Sequence, residues 1–471
     1  MTGHRQPTNP FRTFQEARDF LEKAIDYEKR TSVKYTDQNF NLARMEDLLA
    51  QMGNPHRSFR VIHVAGTKGK GSTAAVLESC LRAAGLKTGL HTSPHLVSLC
   101  ERMLVNGQPP SEQEFCRLLS GVRAYVEKKR REARDTAPTY FEITTALSLL
   151  HFAQQKVDWA VIETGLGGRL DSTNVVSPEC CVITAIALDH MDKLGDTVDK
   201  IAGEKAGIFK PGVPVILAAQ PYAEALEVLR SRAEAVDCPR WEVGREVQVA
   251  GTEPLSAPPD SPEAPVGWRF SVRVPGRTYD GLSCSLLGGH QVQNCATAIA
   301  ALEMLRGHGR LDIAPQAVRE GIARCRWPAR VELLGRRPIF ILDAAHTRES
   351  VAALLDAVRT HFPGRRLRIV FGSSADKNWQ GMLVLLAPRC VSLITTQAFT
   401  PRAADAGMLA HAAREAGMKS ARAVRHPPKA VREALQEAAP DDVVCVTGSF
   451  FVAGEVLDAW RQGAIPQPQR Q

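Results

Sequence analysis

The stretch Val64-Ala65-Gly66-Thr67-Lys68-Gly69-Lys70-Gly71-Ser72-Thr73 decides the fold. Before it, Val61 to Ala65 is a short apolar run that reads as a strand; after it, Ser72 to Ala84 reads as a helix stopped by Gly85. Glycines let a backbone curl so that successive N–H groups point inward at an anion. The helix that follows adds its positive end, and Lys70 adds a full charge. Gly71 separates Lys70 from the hydroxyl of Ser72, so the spacing differs from the common phosphate-loop pattern. An ordinary glycine turn would explain the loop alone. With the strand before it, the helix after it and Lys70 inside, the expectation is nucleotide binding.

Outward from this loop, strand and helix signals alternate. Phe141 to Gln154 reads as a helix and Asp158 to Ile162 as a strand; Cys181 to Leu188 reads as a strand, a helix surrounds Lys205, and Val213 to Ala218 is another strand. Near-continuous apolar strands separated by helices predict a parallel sheet covered on both faces. Upstream, Phe11 to Tyr27 and Leu42 to Met52 read as helices. After about Cys238 the pattern changes. Trp241 to Ala250 and Trp268 to Val274 look like antiparallel strands around a proline-rich loop, Glu253 to Pro265. Helical pattern returns at Gln291 to Leu305 and Pro315 to Cys325. A second alternating series follows, with strands at Ile339 to Leu342, Leu367 to Phe371, Val391 to Thr395 and Val443 to Thr447. The expected class is α/β in two domains, residues 1–326 and 327–471, ending in a frayed tail at Ile465 to Gln469.

The composition agrees with a globular protein. Of 471 residues, 44% are hydrophobic and 23% charged, which excludes a wholly disordered chain or a fibre. No apolar run is long enough to span a bilayer, and the first twenty residues lack the apolar core of a signal peptide, so the expected compartment is the cytoplasm. Eleven cysteines is an odd number with no C-x-x-C pair, which reads as reduced structural residues. The net charge of +8 favours anionic ligands. Lys128-Lys129-Arg130-Arg131 is followed by Glu132 and reads as a solvated helix face rather than a nucleic-acid patch.

Candidate ligands for a metal sit where a parallel sheet would place them. Glu163 ends one strand and leads into Thr164-Gly165-Leu166-Gly167-Gly168-Arg169, while Asp189-His190 ends the next. Carboxyl ends of neighbouring parallel strands converge on the nucleotide crevice. Glu163 offers hard oxygen suited to Mg²⁺, whereas His190 is a softer ligand. In the second series Leu342-Asp343-Ala344-Ala345-His346 closes a strand in the same way; Asp343 could face a cleft or simply cap a helix.

Together these residues resemble the folylpolyglutamate synthase and dihydrofolate synthase family of Mur-type ATP-dependent amide ligases. The resemblance rests on Gly66 to Thr73, Thr92-Ser93-Pro94-His95-Leu96, Glu163 to Asn174, Asp189-His190 with Leu194-Gly195, and Glu204 to Ile208. His290-Gln291 with Asn294, Trp327 to Arg330, Asp343 to His346 and Thr447-Gly448-Ser449 extend it over nearly the whole chain. It implies an N-terminal P-loop ATPase domain and a smaller C-terminal Rossmann-like domain that closes over the site. By resemblance, Gly69, Lys70, Gly71, Ser72, Asn294, Arg330 and Asp343 would bind ATP, and Ser93, Glu163 and His190 would bind Mg²⁺. Lys70, Lys205 and His346 would be the catalytic residues, with Lys205 matching a lysine that is carbamylated. The implied substrates are ATP, L-glutamate and a folate or dihydropteroate; a monomer without nucleic-acid or membrane partners is expected. Lys68 and Thr347-Arg348 look like the eukaryotic type, whereas Gly168 to Asn174 looks bacterial, so the pterin acceptor stays open. Two alternatives stand beside this reading. A muramyl-peptide ligase usually has a UDP-sugar domain before the loop, for which about sixty residues are too few. A nucleotide-switched regulator of the GTPase kind would need Asn/Thr-Lys-x-Asp, and Asp376-Lys377-Asn378 does not fit that order.

Overall fold

The computed structural model describes residues 10–26, 36, 40–133, 137–261 and 263–466. The chain divides into two compact units, residues 1–250, 272–280 and 293–322 in the first and 251–271, 281–292 and 323–471 in the second.

The first unit is built on strands β1 (Arg60–Ala65), β2 (Thr88–His91), β3 (Met103–Val105), β4 (Trp159–Glu163), β5 (Cys180–Ile183), β6 (Val215–Leu217) and β7 (Arg240–Glu242). Their order is β3-β2-β4-β1-β5-β6-β7, and every neighbouring pair is parallel except β2 with β3. The apolar runs have the expected cause. β4 and β5 are buried along their whole length because each sheet face carries its own core. On the face that carries Val61, His63 and Ala65, Ala160 and Ile162 pack against Phe115, Ile143, Leu147 and Phe152, and Cys181 and Ile183 against Ile201, Ala206 and Leu229; the helix Lys70–Ala83 packs on β1, β2 and β4. β1 lies between β4 and β5 and parallel to both, so the chain leaves these three central strands at their carboxyl ends, on the same side of the sheet's rim. That is where a doubly wound sheet takes its ligands.

Two sequence expectations change here. The run Cys181 to Leu188 is not one strand: β5 stops at Ile183. Beyond it Thr184 N donates to Ala65 O at 2.8 Å, and Ala185 O accepts from both Thr67 N and Lys68 N at 3.0 Å. The chain leaves the sheet because it braces the glycine loop. The segment from Trp241 is also not wholly antiparallel. Arg240–Glu242 extends the parallel sheet beside β6, reached through the helix Ala223–Ala235 by the usual crossover, and only β8 (Gln248–Leu255) begins a new sheet. With β9 (Gly267–Val274) and β10 (Arg277–Cys284) it forms three strands in the order β10-β9-β8.

The first helix is Phe14–Glu22, shorter than the reading from Phe11, because Thr13 caps it by accepting from Glu16 N; Tyr27 lies outside the described residues. Leu42–Gln51 and Tyr140–Gln154 fall close to expectation, the latter opened by a capping box between Thr139 and Glu142.

The second unit carries β11 (Glu332–Arg336), β12 (Ile339–Leu342), β13 (Leu367–Phe371), β14 (Ser392–Thr395), β15 (Arg422–Ala423) and β16 (Val443–Thr447). The order is β11-β12-β16-β13-β14-β15, parallel throughout except β11 with β12. β16 occupies the middle and all five of its residues are buried. Ile465 is fully buried rather than frayed, since Arg432 donates to Ala464 O at 3.1 Å; Gln467 to Gln469 lie outside the described residues. All eleven cysteines are free, ten of them buried. Among the described residues, no helix is long and apolar enough to cross a membrane.

Candidate active site

Glycine is required at two points of the Val64–Thr73 loop. Gly66 has φ +145° and a Cβ there would lie 1.9 Å from Thr184 Oγ1; Gly69 has φ +89° and a Cβ there would lie 2.6 Å from Asn294 Oδ1. The second contact places Asn294, from the helix His290–Gly307, directly against the loop. The helix Lys70–Ala83 starts from Gly69 without a side-chain cap, so its first-turn N–H groups are offered to an external acceptor. Gly69, Lys70, Gly71, Ser72 and Asn294 therefore come together as expected.

Charge collects beside them. Lys70 Nζ lies 3.9 Å from Glu163 Oε1 at the carboxyl end of β4, and Glu163 is only 6% exposed. Ser93 N, beyond β2, donates to Glu163 Oε2 at 3.3 Å, which joins two of the three expected metal ligands. His190, with φ +50°, opens the short helix Met191–Leu194. Its side chain is 54% exposed, so only partial desolvation lowers its pKa, and the cations Lys70, Lys205 and Lys193 push the same way while Asp189 opposes. Asp189 meanwhile holds Lys68 Nζ at 2.9 Å. Among the described residues no cluster of three His, Cys, Asp or Glu side chains could hold a metal by itself. A buried carboxylate beside a hydroxyl residue still fits Mg²⁺, which keeps much of its water shell and takes its remaining oxygens from phosphates.

Lys205 is the most perturbed cation of the site. It is 4% exposed, and burial first, then the Lys70 charge, lowers its pKa to about 7. Two glycines cause the burial. A Cβ on Gly168 would lie 2.8 Å from the carbonyl oxygens of Glu204 and Lys205, and one on Gly207 would lie 2.4 Å from Arg169 Cβ. Arg169 N donates to Glu204 O at 2.8 Å and Asn174 Nδ2 to Gly207 O at 3.1 Å. The loop after β4 thus lies flat on the helix Val198–Ala206. Asp171, to which the sequence reading gave no role, organises that loop: it accepts from Leu166 N, Thr173 N and Thr173 Oγ1 at 2.8, 3.0 and 2.5 Å. A buried Asp between glycines and Thr173-Asn174 is the signal that could have marked it.

In the second unit Asp343 is not a helix cap; Thr347 caps the helix Arg348–His361. Asp343 instead accepts from Val331 N and Ala345 N, both at 2.8 Å, and burial raises its pKa against those bonds and the Arg330 charge. It joins the loop after β12 to the segment bearing Arg330. Ala329 and Val331, on either side of Arg330, have φ of +52° and +48°, a conformation side chains with a Cβ rarely adopt. His346 Nδ1 lies 3.0 Å from Ala344 O.

Comparison with known proteins agrees with this arrangement. The Mur ligase middle domain matches residues 64–302, and the Mur ligase glutamate ligase domain matches residues 329–450. The class is that of ATP-dependent Mur-type ligases. The dihydrofolate synthase/folylpolyglutamate synthase of Bacillus subtilis is 36% identical over 95% of this chain and 99% of its own length. A solved structure of the Mycobacterium tuberculosis folylpolyglutamate synthase complexed with ADP superposes with a TM-score of 0.83 at 30% identity, covering 97% of this chain and 99% of that one. E. coli FolC in complex with DHPP and ADP gives a TM-score of 0.80 at 29% identity over 98% and 100% of the two chains. The chain belongs to the folylpolyglutamate synthase/dihydrofolate synthase family, ATP-dependent ligases that join glutamate to folates.

Proposed function

We propose that this chain extends a folate carboxylate with L-glutamate through an acyl phosphate, and that it also converts dihydropteroate to dihydrofolate, the Bacillus subtilis relative being named a dihydrofolate synthase as well as a folylpolyglutamate synthase. The observation that carries the reading is Lys70, 3.9 Å from a buried Glu163 at the start of an uncapped helix. Residues 1–326 form the ATP-binding part and 327–471 the ligase part.

The substrate carboxylate attacks the γ-phosphorus of ATP and ADP departs; the glutamate amine then attacks the acyl carbon, and phosphate leaves as the amide forms. Two anions must meet in the first step. Lys70 and the helix N–H groups offset their repulsion and the charge on the transferred phosphoryl oxygens. Gly69 and Gly71 let the backbone approach, Ser72 adds a hydroxyl, and Asn294, Arg330 and Asp343 hold the nucleotide. His346 serves the incoming glutamate. Ser93, Glu163 and His190 would hold Mg²⁺, which supplies charge neutralisation between ATP and the carboxylate, and a carbamylated Lys205 would help fix it. A monomer in the cytoplasm, without nucleic-acid or membrane partners, completes the proposal.

ADP release with ATP and glutamate tests the reading, comparing dihydropteroate with tetrahydrofolate. Turnover with both is expected. No turnover with either overturns the ligase assignment, and turnover with tetrahydrofolate alone removes the second activity. Glu163→Gln keeps the size of the side chain and removes its charge. It is expected to shift the Mg²⁺ dependence of turnover upward at least about tenfold. A superimposable Mg²⁺ titration would show that Glu163 is not a ligand.

A further inference from the structure

Three elements of the second unit converge on one ring that no reading so far has used. Phe450 is the first residue of the helix Phe450–Arg461. The Arg330 guanidinium carbon lies 5.0 Å from its ring centroid, and the His346 imidazole lies 5.3 Å away at an interplanar angle of 55°. All three side chains are half-buried. The ring's position is fixed by the backbone around it. Gly448 has φ +105°, and a Cβ there would lie 2.3 Å from Gly372 O and 2.6 Å from the Phe371 ring. Gly448 N donates to Ala345 O at 2.8 Å, and Ser449 accepts from Phe451 N at 3.1 Å. The turn that delivers Phe450 is therefore tied to the same loop that carries His346.

We infer that Phe450 is a positioning residue for the ligase reaction, its ring holding Arg330 and His346 in one arrangement before substrates arrive. The inference rests on the reading that Arg330 serves ATP and His346 the incoming glutamate. An arginine on a flexible stem loses rotamer freedom when it binds a phosphate. A ring face that already holds the guanidinium removes that cost in advance, and the left-handed residues on either side fix the base of the stem. His346 is held from two sides, by Ala344 O at Nδ1 and by the ring. With the proton on Nδ1, the Nε2 lone pair points along a defined direction. Simple packing would explain an aromatic at a helix start. It would not predict that loss of the π face acts on two substrates at once.

The test uses the full chain. F450L removes the ring, F450Y keeps it, and R330A and H346A control for the site itself. F450L is expected to raise KM for ATP and for glutamate together by about fivefold to tenfold, with its melting midpoint near that of the parent, while F450Y stays within about twofold. In an R330A background, F450L is expected to change the ATP KM less than about twofold, because the contact it removes is already gone. The His346 Cε1–H resonance is expected to lose its ring-current shift in F450L and keep it in F450Y. F450M repeats the measurements should F450L not fold. Unchanged KM values in F450L beside damaged R330A and H346A enzymes overturn the inference, as does full additivity with R330A. If R330A and H346A themselves match the parent, the site reading fails and the inference falls with it.

Discussion

Lys70→Ala is expected to lower kcat/KM by about 10² to 10³-fold while the protein folds and melts as the parent does. The loop does not depend on this side chain for its shape. Gly66 and Gly69 set the backbone, Ala185 O holds Thr67 and Lys68, and Thr73 N donates to Gly69 O at 2.9 Å to begin the helix. The N–H groups proposed to face the phosphates therefore survive, and only the charge proposed to act at the transferred group is lost. The side chain is 18% exposed beside Glu163, so solvent does little to replace it. A second effect has the same sign. Lys70 is among the causes that keep Lys205 from holding its proton, so its removal returns proton affinity to Lys205 and leaves less neutral amine there. ADP release alongside a thermal melt separates chemistry from folding. Turnover within about tenfold of the parent, about 1.4 kcal/mol of barrier, would remove Lys70 from the phosphate site.

What the sequence made legible follows from how far each signal reaches. The Val64–Thr73 loop could be read because strand, glycines, lysine and helix are contiguous, and Glu163 because it closes β4; Asp189-His190, expected at the end of the next strand, lies beyond it, because β5 stops at Ile183. The end of β5 could not be read, since Thr184 to Leu188 is as apolar as the strand before it and leaves the sheet only to pair with a loop more than a hundred residues earlier. The direction of Arg240–Glu242 was hidden for a related reason: three residues carry no periodicity, and a neighbouring strand decides their pairing. The burial of Lys205 depends on the approach of Gly168, from a separate loop, to its helix, which no local pattern in the sequence announces. The neighbouring Glu204 faces Arg169 of that loop at 3.1 Å. Phe450 stood one residue beyond the Thr447-Gly448-Ser449 motif, and only the folded loops show what touches it.

Lys205→Arg and Lys205→Ala are each expected to lose most amide formation, and added short-chain carboxylates should restore part of it in Lys205→Ala. The reason is a change in charge. A pKa near 7 leaves a large share of neutral amine at physiological pH. Its lone pair can bond to the carbon of CO₂, and an N–H proton leaves to solvent, so a cation would become an anion in the site that Lys70, Lys68, Asp189 and Asp171 surround. A guanidinium stays protonated and cannot follow. The same burial gives a signature in stability that needs no substrate. In bicarbonate-free buffer the unfolded lysine keeps its proton up to the ordinary value of 10.5, while the folded one releases it at about 7. Between those values the unfolded state binds more protons, so stability rises with pH; below about 7 both states are protonated and the full penalty of a buried charge remains. Lys205→Met is expected to abolish that rise and to be more stable than the parent near pH 6, by an amount bounded above at about 5 kcal/mol. Denaturant melts at pH 6, 7.5 and 9 read the effect, and a carbamate ¹³C resonance in bicarbonate-replete parent enzyme reads the modification. Lys205→Arg as active as the parent, or parallel pH profiles for parent and Lys205→Met, would return Lys205 to an ordinary structural lysine.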